Sequence, residues 1–283
     1  MPARPRVALA TSAAFLHLDE DMPLVLAALA AADVDAEPVG WDDPGAVWAA
    51  WDLVLVRSTW DYTARRAAFL DWAAGVPRLA NPAEVLAWNT DKTYLRDLAA
   101  AGVPVVETQW VTDGAWERPA GEYVVKPSVG AGSRGAARYR AGEDASEHVA
   151  RLREAGQTVM VQPYQHGVDE AGETAVLWFG GAFSHAARKG ALLQPGGGEP
   201  PDSRSVVTPA AATQEQVALA QAALAVVPGA EPLLYARVDV VPGPTGTPVV
   251  LELEVCEPSL FLRHAAGSAE RFAAAVCAVL AGG

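Results

Sequence analysis

The sequence contains few of the residues that mark several common classes of protein. It has two cysteines, Cys256 and Cys277, and they form no Cys-x-x-Cys pair, so neither a disulfide framework nor a zinc site is indicated. No apolar run approaches the roughly 18 residues that a membrane-spanning helix needs. The stretch VALATSAAFL follows two arginines, but Thr11 and Ser12 interrupt it, which favours a first strand over a signal peptide. We therefore expect a cytoplasmic protein with reduced cysteines.

Lysine is scarce as well. The 21 basic residues comprise 18 arginines and only Lys92, Lys126 and Lys189. This bias is typical of a GC-rich genome, so a position that keeps lysine is a candidate for a specific chemical need. The 34 acidic residues give the chain a formal net charge of −13. Because nucleic acids and anionic membranes are bound through clustered lysine and arginine, this charge disfavours both kinds of partner.

The length and composition predict a folded protein of about two domains. Hydrophobic residues make up 51% of the chain and charged residues 19%, which is enough for a large core. The first 88 residues alternate strand-like and helix-like segments. Strands are predicted at 6–10, 36–40 and 52–56, and helices at 23–32 and 64–74. This βαβ pattern predicts a small open parallel sheet.

From about Asn89 onward, strands predominate over helices. Helices are predicted at 91–101, 145–154, 214–225 and 268–280. Strands are predicted at 103–111, 122–126, 136–140, 158–162, 175–179, 181–188, 233–241 and 247–255. A segment rich in glycine and proline, 194–203, has no periodicity and is predicted to be a mobile loop.

A glycine-rich segment, Gly130–Gly135 (GAGSRG), matches the pattern G-x-G-x-x-G. A dinucleotide-binding turn requires a helix directly after this pattern, but the residues AARYR that follow it alternate as a strand does. A P-loop would end in Gly-Lys-Ser/Thr, and a protein kinase would carry HRD and DFG motifs further on. Two interpretations remain. One is a phosphate-binding hairpin, in which Lys126 supplies positive charge beside exposed backbone N–H groups, and the other is an ordinary flexible hairpin.

Two strands near the C-terminus carry carboxylates on one face. In YARVDVV, Arg237 and Asp239 point to the same side, and in VVLELEV, Glu252 and Glu254 share a face. If residues 242–247 turn the chain as a hairpin, Asp239 lies near Glu252 across the ladder. Like charges opposite one another destabilise a sheet. A divalent cation would remove that penalty, and oxygen-only ligands favour Mg²⁺. The alternative is a solvated outer face with Arg237 as a partial counter-ion.

Taken together, these motifs resemble the ATP-grasp superfamily, which includes glutathione synthetase and D-alanine–D-alanine ligase. The resemblance runs through most of the chain in order. It comprises Lys92 on a helix, Lys126 with its glycine hairpin, the strand VMVQPY, a strand ending in Arg188, and an Asp followed by Glu-x-Asn. Here the last element reads ELE at 252–254, with Glu in place of the usual Asn. This substitution keeps an oxygen ligand and adds negative charge.

The resemblance implies an α/β chain that is α+β in its ATP-grasp part. A small parallel α/β pre-ATP-grasp domain would lie on the substrate side at residues 1–88. An ATP-grasp subdomain with the glycine-rich hairpin would span 89–161, and a C-terminal ATP-grasp subdomain with the metal site would span 162–283. In such enzymes ATP lies between two sheets, beneath the hairpin.

The resemblance also implies an ATP-binding role for nine residues. These are Lys92, Lys126, Gly130, Gly132, Ser133, Gly135, Gln162, Tyr164 and Glu173. The two lysines would contact the phosphates, Gln162 and Tyr164 would line the adenine pocket, and Glu173 would reach the ribose. Lys92, taken alone, is equally compatible with an ordinary surface position on a helix.

A catalytic pair and a metal site are implied in the same way. Arg188 and Lys189 would stabilise the transferred phosphoryl group, and Asp239, Glu252 and Glu254 would hold Mg²⁺. With this assignment, all three lysines of the chain fall at or beside expected ATP contacts. The alternative for Lys189 is an ordinary loop charge.

The N-terminal third shows a narrower resemblance. WDDPGAVWAAWDLVLVRSTWDY and NPAEVLAWNTDK are similar to the cyclo-ligases that close D-cycloserine from O-ureido-D-serine, and to their uncharacterised relatives. RSTWDY follows a buried strand, and residues just past the carboxyl end of a strand form the binding crevice of an open α/β sheet. Arg57 is therefore a candidate for a substrate carboxylate, with Ser58, Trp60, Asp61 and Tyr62 shaping the pocket. The alternatives are packing for the two aromatic residues and a pair between Arg57 and Asp61.

We therefore expect an ADP-forming ligase with ATP and Mg²⁺ as cofactors. It would activate the carboxylate of a small amino-acid-like substrate as an acylphosphate, which a nitrogen nucleophile then attacks, with ring closure as one form of this reaction. Phosphoryl transfer needs positioning and charge neutralisation, and the loop 194–203 is expected to close over the site. His185, which lies near Arg188 in the sequence, is predicted to be structural, with a position beside the active site as the alternative. A homo-oligomer is compatible with the sequence.

Three other functions remain open on the sequence alone. A small-molecule kinase on the same fold would phosphorylate a hydroxyl group and stop there. A nucleotide-binding protein without turnover would bind ATP but release no ADP in response to substrate. An NAD-dependent enzyme is suggested by the glycine pattern, but it is excluded if the segment after Gly135 is a strand.

Overall fold

A computed structural model gives the structure of the chain over residues 3–194, 207–229 and 233–282. Within these ranges the strands form three β-sheets. The first two sheets in chain order have four strands each, and the third has five. The predicted loop 194–203 lies outside the described residues from position 195 onward. None of the helices in these ranges has the length and apolar character needed to cross a membrane.

The first sheet is parallel and comes from the N-terminal third. Its strands are β1 (Arg6–Thr11), β2 (Asp35–Gly40), β3 (Leu53–Val56) and β4 (Leu79–Ala80), and its helices are α1 (Met22–Ala31) and α2 (Arg66–Gly75). The strand order is β2-β1-β3-β4, so the predicted parallel sheet is confirmed, although α2 begins two residues later than expected. The run LVLV of β3 is apolar throughout because the strand is buried on both faces.

The second sheet is antiparallel and carries the glycine-rich hairpin. Its strands are β5 (Gln109–Val111), β6 (Tyr123–Pro127), β7 (Ala137–Tyr139) and β8 (Val159–Pro163), and the helices of this part are α3 (Ala83–Asn89), α4 (Tyr94–Ala100) and α5 (Ser146–Glu154). The strand order is β5-β8-β6-β7. Because β7 follows Gly135 and pairs antiparallel with β6, the glycine segment is a hairpin connection. The dinucleotide-binding interpretation is therefore excluded.

The third sheet is also antiparallel and forms the floor of the site. Its strands are β9 (Glu173–Phe179), β10 (Ala182–Lys189), β11 (Val207–Ala210), β12 (Tyr235–Pro242) and β13 (Pro248–Glu254), and its helices are α6 (Gly167–Ala171), α7 (Gln214–Leu224) and α8 (Ser268–Gly282). The order is β11-β10-β9-β12-β13. The division at 1–88, 89–161 and 162–283 stays a prediction, and its second boundary falls inside β8.

The connection between the first two sheets differs most from expectation. In place of the helix predicted at 91–101, the structure has the shorter helix α4. A separate helix, α3, precedes it, and Lys92 lies in the turn between the two. Of the strand predicted at 103–111, only β5 forms. The reason is that Pro104 has no N–H to give to a ladder, and its carbonyl accepts a hydrogen bond from Val250 N–H of the third sheet at 2.9 Å.

The first sheet packs against the third through a shared apolar core. Leu29 of α1 and Leu55 of β3 belong to the same buried cluster as Phe179 of β9 and Phe272 of α8. Each such side chain, when fully buried, contributes about 1.5–3 kcal/mol to stability. This core fixes the carboxyl ends of the parallel strands beside the end of β13.

Two buried asparagines strengthen this junction. The side-chain amide of Asn81 donates to the carbonyls of Tyr235 and Val255 at 2.9 and 2.7 Å. Asn89 donates to Leu253 O at 2.8 Å and accepts from Val255 N–H at 2.9 Å. Because buried amides are costly unless they are hydrogen-bonded, these contacts hold the end of β13 in one position.

Candidate active site

The carboxylate face predicted near the C-terminus is present. β12 and β13 pair as an antiparallel hairpin, with Asp239 opposite Glu252 and Arg237 opposite Glu254. One oxygen from each of the three carboxylates lies within 4.8 Å of the others. Because such close negative charges repel one another strongly when shielded from water, the face needs cations.

Two lysines supply part of the compensating charge. Lys189 Nζ lies 2.6 Å from Asp239 Oδ2 and 2.7 Å from Glu173 Oε2. Lys92 Nζ lies 3.0 Å from Glu252 Oε1. The two residues come from distant parts of the sequence, so the site exists only when the second and third sheets are assembled.

Arg237 is the third cation of the cluster, and sequence reasoning had given it only the role of a partial counter-ion. Its Nε and Nη2 atoms donate to the two oxygens of Asp239 at 3.0 and 3.1 Å, and Nη2 also contacts Glu254. Nη1 donates to the carbonyl of Ser259 at 3.3 Å. This bidentate geometry fixes the guanidinium plane in the floor of the site.

Arg188 does not share this position. It precedes Lys189 on β10, and successive side chains of a strand point to opposite faces. Lys189 points into the carboxylate cluster, whereas Arg188 is exposed and lies among neither the cluster nor the residues that line the adjoining cavities. The geometry therefore contradicts the prediction that Arg188 stabilises a transferred phosphoryl group, and Arg237 is the arginine that the structure places in the carboxylate cluster.

The charges of the cluster shift the pKa values of its members. Burial alone would raise the pKa of Asp239, but Arg237 and Lys189 hold it below its ordinary value. Burial raises the pKa of Glu254 to about 8, against the opposing effect of Arg237. Burial also lowers the pKa of Lys126, because nearby carboxylates offset only part of its desolvation. Such perturbed groups around a cavity are typical of functional sites.

The first cavity of the site lies between the second and third sheets. Eight of the nine predicted nucleotide residues line it: Lys92, Lys126, Gly130, Gly132, Ser133, Gln162, Tyr164 and Glu173. Gly135 does not line it, since it packs behind the hairpin, where an added Cβ would meet the Pro127 ring at 3.3 Å. Lys189 and Glu252 form the wall that faces the carboxylate cluster.

Local contacts hold the far end of this cavity. Gln162 of β8 donates to Thr108 Oγ1 at 2.8 Å. The Tyr164 hydroxyl donates to Asp169 Oδ1 at 2.6 Å, and the guanidinium of Arg138 lies 3.4 Å from the centre of its ring. Burial and this hydrogen bond raise the pKa of Tyr164, so the ring stays neutral and presents an ordered flat surface.

A second cavity, of about 220 Å³, lies on the other side of the carboxylate cluster. The residues that line it but not the first cavity include Phe15, Trp60, Arg237, Glu254, Glu257, Ser259 and Phe261. It shares Lys189, Glu252 and the hairpin residues Gly132–Arg134 with the first cavity. Two adjoining cavities therefore meet at the carboxylates and lysines, which is the arrangement needed to bring two substrates together.

Comparisons with known proteins now identify the family. Residues 7–81 match the model of the N-terminal domain of the D-cycloserine synthetase DcsG. The cycloserine biosynthesis protein DcsG of Streptomyces lavendulae is 41% identical over 290 residues, which is 95% of this chain and 97% of that protein. The chain belongs to the DcsG family.

Solved structures agree with this assignment. The crystal structure of D-cycloserine synthetase DcsG matches with a TM-score of 0.92 and 39% identity, covering 97% of this chain and 99% of that one. The ATP-grasp ligase PsnB, solved with a minimal precursor, Mg and ADP, matches with a TM-score of 0.62 and 18% identity over 97% of each chain. The second likeness shows the shared ATP-grasp fold. The expected superfamily is confirmed, and this DcsG-family chain is an ATP-dependent ligase that forms carbon–nitrogen bonds.

In this DcsG-family chain, some residues of the segment RSTWDY line the second cavity, and others support the structure around it. Trp60 lines the second cavity, and its indole N–H donates to the carbonyl of Glu257 at 3.1 Å. Tyr62 is buried beside Glu257, and burial first and that carboxylate second raise the pKa of its phenol well above the ordinary value. Asp61 instead pairs with Arg65 outside the cavity and accepts from the indole N–H of Trp41.

Arg57 and Ser58 are support residues, which corrects the predictions that Arg57 binds a substrate carboxylate and that Ser58 shapes the pocket. Arg57 is 1% exposed, and its guanidinium donates to Pro258 O at 3.1 Å and to Asp19 Oδ2 at 3.5 Å. The Ser58 hydroxyl is fully buried and lies 2.5 Å from Thr11 Oγ1. The expected crevice is filled here by the loop 257–262, so a substrate carboxylate has no access to either residue.

Loop 257–262 follows β13 and is held from several sides. Asp21 accepts from the N–H groups of Leu260, Phe261 and Leu262 at 2.7–3.0 Å. His185 Nε2 lies 3.0 Å from Leu260 O, so the predicted structural role of this histidine is consistent with its contacts. Together with Arg57 and Arg237, these groups fix a loop that lines the second cavity.

Sequence reasoning missed Arg134, Arg237 and Glu257 as site residues. Arg134, within the glycine hairpin, contacts the Trp60 carbonyl and lines both cavities. Arg237 was visible in the alternation of YARVDVV but had been set aside as a counter-ion. Glu257 carried a weaker signal, since it lies just past the end of a strand whose carboxylates had already been identified.

Proposed function

We propose that this chain activates the carboxylate of O-ureido-D-serine, or of a close amino-acid analogue, and closes it into the ring of D-cycloserine. The observation that carries the proposal is the meeting of two cavities at one cluster of lysines and carboxylates. The relative named a D-cycloserine synthetase, which matches nearly the whole chain, supports the substrate. The second cavity, of about 220 Å³, has room for an amino-acid-sized molecule.

The nucleotide belongs in the first cavity. Lys92 and Lys126 would contact its phosphates, with the backbone N–H groups of the glycine hairpin above them. Gln162 and Tyr164 would line the adenine end. Glu173 would reach the ribose, although its carboxylate also lies 2.7 Å from Lys189.

The carboxylate cluster suits a magnesium ion. Asp239, Glu252 and Glu254 converge within 4.8 Å and offer only oxygen ligands, which is the donor set that Mg²⁺ prefers. When bound, the ion would neutralise phosphate oxygens of the nucleotide. Lys189 and Lys92, which now pair with these carboxylates, would then be free to face the phosphates.

The reaction then needs two displacements. The substrate carboxylate attacks the terminal phosphorus of ATP and ADP leaves. The nitrogen bonded to the side-chain oxygen loses its proton and attacks the acyl carbon, and phosphate leaves as the ring closes. The carbamoyl group on that nitrogen is then removed by water as carbon dioxide and ammonia, which gives D-cycloserine. Arg237 and Lys189 lie where the two cavities meet, so they can stabilise charge on the transferred group in both steps.

The test is to incubate the protein with Mg²⁺, ATP and O-ureido-D-serine and to measure ADP, free phosphate and D-cycloserine. We expect all three products, with ADP and phosphate in equal amounts, and no ADP release from Lys126→Ala. A stable phosphorylated substrate without free phosphate would instead identify a kinase. ATP binding without substrate-stimulated ADP release would overturn the ligase proposal for this substrate.

The metal is tested with the same assay. Chelation should abolish ADP release and added Mg²⁺ should restore it, while Glu252→Gln should raise the Mg²⁺ concentration needed for half-maximal rate. If that variant keeps the wild-type Mg²⁺ dependence, the carboxylate face is structural only.

A further inference from the structure

Glu257 is a buried carboxylate in the wall of the second cavity. It follows β13, is 7% exposed and lines the space that also contains Trp60 and Glu254. Burial raises the pKa of Glu257, and the neighbouring thiol of Cys256 and phenol of Tyr62 act to lower it. Both are neutral donors, so they orient the carboxylate without cancelling its charge.

Three cations of the site are paired with carboxylates other than Glu257. Lys92, Lys189 and Arg237 form their ion pairs with the carboxylates of the cluster and with Glu173. Glu257 takes part in no ion pair within the part of the chain that the structure describes. A charged group buried without a partner is strongly destabilising, so this position favours a ligand that brings a positive charge.

A metal ion is a poor candidate for that ligand. The carboxylates that converge closely enough to share an ion, among the described residues, are Asp239, Glu252 and Glu254, and Glu257 is not one of them. Its neighbours Tyr62 and Cys256 are protonated donors, with burial as the first cause of their raised pKa values. A protonated phenol and thiol are poor ligands for Mg²⁺, whereas the carboxylate oxygens of Glu257 can accept hydrogen bonds from an ammonium group.

The chemistry of the proposed substrate supplies such a cation. Activation consumes its carboxylate and ring closure uses the nitrogen on its side-chain oxygen, which leaves the α-ammonium group unreacted. We propose that Glu257 binds this α-ammonium group and so selects amino acids over acids that lack the amine. The inference rests on the proposed ligase function and deepens it by naming a specificity-determining residue.

The surrounding structure makes Glu257 a rigid anchor. The Glu257 carbonyl accepts from the Trp60 indole, and the next residue, Pro258, is held by Arg57. Asp21 fixes the three N–H groups further along the loop. Since a preformed carboxylate loses little freedom when it binds, discrimination by this one contact can be large.

The experiment compares two ligands that differ only at the α-position, D-serine and D-glycerate, by calorimetric titration in the presence of Mg²⁺ and AMPPNP. Wild type should bind D-serine at least about tenfold more tightly than D-glycerate. The ammonium group of D-serine can form a buried charge pair with Glu257, whereas the α-hydroxyl group of D-glycerate cannot. Glu257→Gln should reduce the preference to within about threefold, and Glu257→Asp should keep part of it. The exposed Glu147→Gln is the control and should behave as wild type.

Several outcomes would overturn the inference. They are no binding of D-serine by wild type, equal affinity for the two ligands, or a preference that persists in Glu257→Gln. A change in the Mg²⁺ requirement without a change in preference would show a metal role instead. Unaltered AMPPNP affinity shows that the variants are folded. The proposed function is judged separately, by ADP release from O-ureido-D-serine in wild type, so the two can fail independently.

Discussion

Lys189 places its Nζ atom 2.6 Å from Oδ2 of Asp239, across the third sheet and within the carboxylate cluster. Burial acts to lower the pKa of this lysine, but Asp239 and Glu173 outweigh burial and raise it. Lys189 is therefore positively charged at neutral pH. A permanent cation at the meeting point of two cavities is suited to phosphate oxygens, whose charge grows and moves during transfer.

The first prediction follows from the opposite orientations of Lys189 and its neighbour Arg188. Lys189→Met should lower kcat by about 100-fold or more, because a charge facing the transferred group is removed. Arg188→Met should lower kcat by less than about fivefold, as surface substitutions usually act weakly. Steady-state ADP release measures both. A larger loss in the arginine variant would show that the strand presents its other face to ATP.

The second prediction concerns the buried pair of Arg57 and Asp19. Arg57→Met should lower the free energy of unfolding by about 3–5 kcal/mol, because it leaves Asp19 as an uncompensated buried charge. The double variant with Asp19→Asn should recover part of this loss. Denaturant unfolding measures both effects. If Arg57 contacted the substrate carboxylate instead, the single variant would raise KM and leave stability nearly unchanged.

The success and failure of the sequence predictions have physical causes that differ between elements. Alternation in YARVDVV and VVLELEV sets which residues share a face, and a short turn sets their register, so the pairing of Asp239 with Glu252 could be predicted. The strand that carries Lys189 has a bulge between Phe183 and His185. Alternation cannot be counted through a bulge, so the sequence could not show which basic residue enters the site.

The crevice predicted past β3 failed for a different reason. Local sequence correctly placed Arg57 at the end of a buried parallel strand, where ligands commonly bind. Loop 257–262, about 200 residues further along the chain, occupies that position. The guanidinium of Arg57 donates a hydrogen bond to this loop and supports it. Contacts between such distant segments depend on tertiary packing, which no local pattern contains.

The third prediction concerns pH and His185. Burial lowers the pKa of this histidine, and its Nδ1 faces Ser184 while Nε2 faces Leu260 O. Its folded pKa is lower than the unfolded value of about 6.5, so below that pH the unfolded chain binds more protons. Stability should therefore fall as the pH drops below about 6.5, by up to about 1.4 kcal/mol per pH unit, until the folded pKa is reached.

The measurement for this third prediction is the free energy of unfolding at several pH values in wild type and His185→Gln. Other histidines with lowered pKa values, such as His148 and His264, are present in both proteins and cancel in the difference. The variant should be less sensitive to acid than wild type. Parallel curves for the two proteins would contradict the prediction.

The fourth prediction concerns Gly172, which lies between α6 and β9 with φ of +69°. A Cβ added there would lie 2.5 Å from the carbonyl oxygen of Lys189, so Gly172→Ala must displace the backbone that positions this lysine. Gly156 has a similar φ of +73°, but an added Cβ would meet no atom within 4 Å. Gly156→Ala therefore serves as the control for a positive φ without the collision.

Both glycine variants should lose about 1–3 kcal/mol of stability from the positive φ alone. Gly172→Ala should lose a further amount of about 1–3 kcal/mol from the forced displacement and should lower kcat/KM by about tenfold or more, since misplacement of a catalytic group by 1 Å can reduce rate greatly. Gly156→Ala should keep nearly full kcat/KM. Unfolding curves and ADP release measured together would decide the matter, because equal losses of activity in the two variants would mean that the contact with Lys189 has no part in positioning it.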